Sequence, residues 1–182
     1  MKFPWLAAIA VVLPLSAQTI DYKFLDKLAD KAKESSIVDL GPEQLGLLQG
    51  FTGEGKKGEL GELSKTLKSI QVRSFEFDKP GMYNMDEMRA FRDKIKAGGT
   101  WVSLVTVREK GGFTDILVEK GTDGKPKGFF IIAAEPEELS VVHIVGSVDL
   151  SSLGKLSGSF GVPNVNVPKA QPTPKPKAEK DE

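Results

Sequence analysis

The sequence predicts an α+β fold: an antiparallel sheet, made of a C-terminal four-strand meander plus one or two earlier strands, with helices mainly on one face. Three observations predict it. Four strand-like runs between Thr100 and Gly146 follow one another through short links, and short links between consecutive strands favour antiparallel neighbours. A well-capped amphipathic helix, from Asn84 to Ile95, precedes them. Two of the runs, Phe129–Ala134 and Val141–Val145, are almost continuously apolar, as strands buried on both faces are.

The first seventeen residues, MKFPWLAAIAVVLPLSA, read as an export signal. Lys2 supplies the positive start, an apolar stretch runs from Phe3 to Leu15, and small residues lead to a cleavage site between Ala17 and Gln18. The stretch is shorter than the roughly 20 residues of a membrane-spanning helix. The expected organisation is a signal over residues 1–17, one domain over residues 18–158 and a disordered tail over residues 159–182. The expected location is periplasmic or secreted, with no stable membrane span once the signal is cut.

The domain opens with DYKFLDKLADKAKE, in which Phe24, Leu25, Leu28 and Ala32 share one helical stripe. SSIVDLG follows as a short, partly β-branched strand. Pro42 after Gly41 suits the first turn of a helix through Leu48. GFTGEGKKGELG, from Gly50 to Gly61, holds five glycines in twelve residues; a regular element there would cost too much backbone entropy, so a flexible loop is expected. Leu60, Leu63 and Leu67 predict a modest helix ending before Ile70.

SIQVRSFEFD predicts a strand whose alternation changes phase. Ile70 and Val72 share one face, and Phe75 and Phe77 share the other. A bulge near Arg73–Ser74 reconciles them, and so does burial on both faces. After the turn at Pro80–Gly81, Asn84 and Glu87 form a box-like cap, Met85, Met88, Phe91 and Ile95 form the apolar stripe, and Gly98–Gly99 ends the helix. The four strands are TWVSLVTVRE, GFTDILVEK, KGFFIIAAE and ELSVVHIVG. Their links are Lys110–Gly112, Gly121–Lys127 with Asp123–Gly124, and Pro136–Glu137. A last short helix from near Asp149 carries Leu153 and Leu156. Beyond Gly158, prolines alternate with lysines, a composition too polar for a core and too rich in proline for strand pairing.

Composition excludes several chemistries. With no cysteine, burial of apolar surface has to stabilise the exported domain, and there is no thiol nucleophile, thiolate metal site or lipid-bearing cysteine. The 25 basic residues balance the 25 acidic ones, and loss of Lys2 with the signal leaves about −1. No basic field is present to gather nucleic acid.

Four constellations hold residue types that chemistry uses. GFTGEGKK, from Gly50 to Lys57, matches a phosphate-cradling loop in seven positions, but Lys57 stands where the magnesium-holding hydroxyl belongs; a plain glycine-rich linker is the expectation. His143, the single histidine, shares a strand face with Leu139, Val141 and Val145, so it is expected as a satisfied core residue rather than a catalyst. No nucleophile-elbow pattern accompanies it for a triad, and a zinc site would lack ordinary ligands. Glu135, Glu137 and Glu138 sit in a predicted hairpin. Glycoside hydrolysis needs an acid in a dry cleft, whereas a hairpin tip is wet. Trp101, Tyr83 and Phe113 could line a ligand groove, but core or edge packing is expected. No catalytic residue, metal or cofactor is expected.

The order of these pieces resembles the bacterial domain-of-unknown-function family numbered 4252. The likeness runs from Ile20 to Leu156: a FLDKLADKAKE helix, SIVDLGPEQLGLL, the capped helix, WVSLVTVREKGGFTDILVEK, then KGFFIIAAEPEELSVVHIVGSVDLSSLGKL. Its most specific part is the end, where a hydrophobic strand, Gly146 and the acidic DLSSL turn follow one another. The resemblance implies an exported α+β domain with no known activity and no catalytic residues to carry over. Relatives encoded near extracytoplasmic sigma and anti-sigma factors imply a link to envelope signalling. Lipoprotein anchoring of some relatives does not transfer, for want of a cysteine. The expected function is a non-enzymatic interaction module with an envelope protein as partner. The alternatives are a small-ligand carrier and an envelope hydrolase.

Overall fold

The structure, a computed structural model, describes residues 20–50, 61–121 and 124–147. The expected signal with its Ala17–Gln18 junction, nearly all of GFTGEGKK, Asp123 of the expected turn, the helix expected from Asp149 and the tail over residues 159–182 lie outside the described residues.

Strands form at Glu34–Leu40 (β1), Leu67–Glu76 (β2), Trp101–Glu109 (β3), Gly112–Lys120 (β4), Pro126–Ala134 (β5) and Glu138–Gly146 (β6). They make one antiparallel sheet in the order β1-β2-β6-β5-β4-β3. The last four are the expected meander, and two earlier strands extend it beyond β6. Because β2 lies beside β6 and β3 lies at the far edge, the chain has to cross the sheet between them. The helix α3, Met85–Ala97, makes that crossing.

Pairing aligns residues in rows that alternate between faces. One face carries Asp39, Gln71, His143, Phe130, Leu117 and Ser103 across the six strands, and beside them Ile37, Arg73, Val141, Ile132, Asp115 and Thr106. The other carries Val38, Val72, Val142, Ile131, Ile116 and Val105. Two separate cores result. Tyr22 and Leu25 from the N-terminal segment, with Met88 and Ile95 from α3, cover the first face. Leu45 of the short helix α2, Pro42–Leu48, packs on the second. Both faces of β5 and β6 are therefore dry, which is why their apolar runs are nearly continuous.

Two local expectations change, and an alternative left open in β2 is decided. The N-terminal helix is short: α1 spans Lys23–Asp26, a 3-10 turn spans Ala29–Lys31, and Ala32 is extended. The Lys33 amide donates to the Glu76 carbonyl at 2.7 Å, starting the pairing of β1 with β2, and a chain entering a strand cannot still be helical. The helical residues 61–64 stop before Leu67, which begins β2. Ser64 and Thr66 return their hydroxyls to the carbonyls of Gly61 and Leu63, the local bonding that competes with helix continuation. In β2 the register runs unbroken from Ser69 to Glu76, so there is no bulge at Arg73–Ser74. The phase change reflects burial on both faces, with Ile70 and Val72 in one core and Phe75 and Phe77 in the other.

The cap of α3 is as expected. The Asn84 side-chain oxygen accepts from the amides of Asp86 at 2.9 Å and Glu87 at 3.3 Å. Asn84→Ala is expected to cost about 1 kcal/mol, measured as a lowered urea midpoint; an unchanged midpoint would show that the crossing helix is held by its packed face alone.

Candidate functional site

Among the described residues, the polar groups that could do chemistry are gathered in three places. The first lies where the N-terminal segment crosses β1, β2 and β6. Tyr22 Oη is 2.8 Å from His143 Nδ1, and Gln71 Oε1 is 3.2 Å from the same nitrogen. Trp101 presents its ring to the imidazole at 5.6 Å between centroids, and Phe130 at 6.0 Å. Burial pulls the His143 pKa down from 6.5 to about 4, because a cation is poorly solvated among these rings. The ring is neutral at pH 7, and in the Nε2–H tautomer Nδ1 accepts the Tyr22 hydroxyl. Burial also raises the Tyr22 pKa, keeping that hydroxyl a donor.

Beside this pair, Arg73 Nε donates to Asp26 of α1 at 2.5 Å, and its two terminal nitrogens grip Asp39 of β1 at 3.0 and 2.9 Å. The guanidinium carbon also lies 5.5 Å from the centre of the Tyr22 ring. Burial works against the Arg73 charge, but its hydrogen bonds to Asp39 and Asp26 outweigh it and raise its pKa.

The second place lies under α3. Arg92 Nη1 donates to Asp115 of β4 at 3.1 Å, with only 9% and 1% of the two side chains exposed. Thr106 Oγ1 donates to the other Asp115 oxygen, Arg92 Nε donates to Asp93 at 2.8 Å, and the guanidinium carbon lies 4.9 Å from the centre of the Phe113 ring. Every polar atom of Asp115 is thereby answered within the fold.

The third place is acidic. Glu34, Glu76 and Glu138 align across β1, β2 and β6, next to Glu135 and Glu137 in the hairpin. The Tyr83 hydroxyl braces that hairpin through the carbonyls of Glu135 and Glu138. Burial, then the charges of Glu135 and Glu76, raise the Glu138 pKa. Two open concavities lie here. One of about 220 Å³ runs over Ser36, Ser74 and Glu138. One of about 440 Å³ is walled by Glu76, Glu135, Glu137 and Glu138 with Phe77 and Pro136. Among the described residues no group of three or more His, Cys, Asp or Glu is arranged to hold a metal ion.

These places answer the sequence expectations residue by residue. His143 is a hydrogen-bonded residue of the covered face, as its strand neighbours implied. Glu138 and His143 lie on opposite faces, about 17 Å apart along β6, so no cleft joins them. Trp101 and Phe113 are core residues, while Tyr83 is half-buried and structural. Sequence reasoning passed over Tyr22, Gln71, Arg73, Arg92 and Asp115. A signal existed for two of them: Arg73 and Asp115 each interrupt an apolar strand at a position facing inward.

Among the comparisons with known proteins, the family model described as Domain of unknown function (DUF4252) matches residues 22–156. No curated protein and no solved structure matches the chain.

Proposed function

The chain belongs to the DUF4252 family, which assigns it no activity, and from that membership we propose that it is an exported, non-enzymatic interaction module acting on an envelope protein. The observation that carries this reading is the β3 edge. As the last strand of the sheet among the described residues, β3 turns one row of backbone amides and carbonyls away from β4. Leu104 and Val107 are 44% and 40% exposed along it, and its only charges are Arg108 and Glu109 at one end. Such an edge accepts an added strand from a partner, with backbone hydrogen bonds for affinity and apolar side chains for selectivity. The register slips at Leu104 between Ser103 and Val105; a bulge of this kind limits indiscriminate pairing.

The export-signal pattern of residues 1–17 supports the location in that reading. A cysteine-free domain whose buried charges are spent on its own fold offers surface rather than reactive groups. The carrier alternative has the concavity of about 440 Å³ in its favour, but four glutamates suit few small apolar ligands.

Immobilised full-length chain is expected to retain a specific protein from an envelope extract, and the double variant Leu104→Lys with Val107→Lys is expected to lose it. Retention by both baits alike would move the interface elsewhere. Retention of nothing specific would count against the module reading itself.

A further inference from the structure

The N-terminal segment, Ile20–Ala32, is attached to the sheet differently from every strand. Its backbone hydrogen bonds close within itself. Among the described residues, the first backbone bond to the sheet is that of Lys33 to Glu76. What holds the segment is side chains: Tyr22 and Leu25 in the core, with Phe24, Leu28 and Ala29 against it, and two polar anchors, Tyr22 on His143 and Asp26 on Arg73. An element without ladder bonds opens locally at lower free energy than the strands beneath it.

Both anchors end on a basic group of the sheet, and one of these groups can change its charge. We propose that residues 20–32 form an acid-released clip: protonation of His143 frees Tyr22, and the segment leaves the sheet as a unit while the six strands stay folded.

The surroundings of His143 give the reason. From the N-terminal segment the ring meets the neutral Tyr22 hydroxyl; from β2, the Gln71 amide; from β3 and β5, the Trp101 and Phe130 rings. The charged groups nearest in the network are Arg73 of β2, Asp39 of β1 and Asp26 of α1, and the two carboxylates are already bound to Arg73. Among the described residues no carboxylate hydrogen-bonds the imidazole, so a proton placed there finds no counter-charge from them. Lifting Tyr22 admits water, which solvates the imidazolium.

The sign follows from linkage. The closed clip holds the His143 pKa near 4 through burial, whereas an opened, hydrated imidazole returns toward 6.5. The closed form is therefore fully favoured well above pH 6.5, and its ratio to the open form falls as pH drops, by about 150-fold at pH 4 and at most about 300-fold below it. The clip lies over β1, β2 and β6, at the other side of the sheet from the β3 edge, so this inference does not depend on the partner proposed there.

Hydrogen exchange read by mass spectrometry on the full chain, corrected for intrinsic exchange rates, tests it between pH 7 and pH 4.5. Protection of residues 20–32 is expected to fall by at least tenfold while peptides from β5 and β6 keep theirs. His143→Gln, which can still hold the Tyr22 hydroxyl, is expected to remove that pH dependence. Asp26→Asn, which weakens the other anchor, is expected to lower protection of the segment at pH 7 and leave β5 unchanged. The proposal is overturned if protection of residues 20–32 is independent of pH, if it is lost together with β5 and β6, or if His143→Gln keeps the dependence. Should His143→Gln not fold, Asp26→Asn and the wild-type profile still decide.

Discussion

Asp115→Ala is expected to destabilise the protein by about 3 kcal/mol, the low end of the 3–5 kcal/mol for breaking a buried ion pair. Asp115 is 1% exposed, and its removal leaves Arg92, 9% exposed, facing an apolar cavity under α3. The loss stays at the low end because Arg92 keeps Asp93, which is 62% exposed and can follow the guanidinium. Thr106 is exposed and recovers its bond from water. Urea unfolding should show a lower midpoint with an unchanged slope. Replacing both partners, Arg92→Met with Asp115→Leu, should restore most of the loss, since the cost lies in the orphaned charge rather than in the missing attraction. A single variant within 0.5 kcal/mol of wild type would mean that Arg92 swings out to solvent, and that α3 is held by its apolar stripe alone.

Phe130→Ala is the second large effect, at about 3–5 kcal/mol. Phe130 is 0% exposed and stands where the N-terminal segment, α3 and the sheet meet. Phe91 of α3 packs edge-on at 5.9 Å, Trp101 at 6.2 Å, and Phe24 reaches it through Phe91 at 4.9 Å. Rings from separate elements cannot collapse together into the space of one lost phenyl group, so the cavity persists. Thermal unfolding measures the loss, and Trp101 fluorescence should shift as its apolar wall is removed. Ile131→Val, on the opposite face of the same strand, should cost only about 1 kcal/mol and leave that fluorescence unchanged. Equal losses at the two positions would contradict two separate cores.

The elements visible in the sequence are those whose local signals agree with their tertiary fate. Asn84 caps the helix that forms, Pro42 starts the helix that forms, and the four C-terminal runs become four paired antiparallel strands. The failures have a common cause. The Phe24–Ala32 stripe is helical by period, yet β1 pulls Lys33 into pairing with Glu76 and ends the helix early. Leu67 continues a leucine spacing, yet it is claimed by β2. Long-range pairing overrides a short local preference, because a few turns of isolated helix are marginal by themselves.

The candidate site was less legible for a different reason. His143 could be placed on an inward face from its neighbours alone, but its partner Tyr22 lies 121 residues away in the chain. Arg73 and Asp115 each interrupt an apolar strand. Only their register revealed them as charges met from another element, Arg73 by Asp26 and Asp39, and Asp115 by Arg92.

What the amino-acid order alone determined was the class of fold, the meander, the capped helix and the absence of thiol chemistry, since periodicity, capping and composition act over a few residues. The tertiary structure decided the strand order that puts β2 beside β6, the two separate cores, and which polar side chains meet between them. Those outcomes depend on which distant faces exclude water together, and no window of neighbouring residues contains that information.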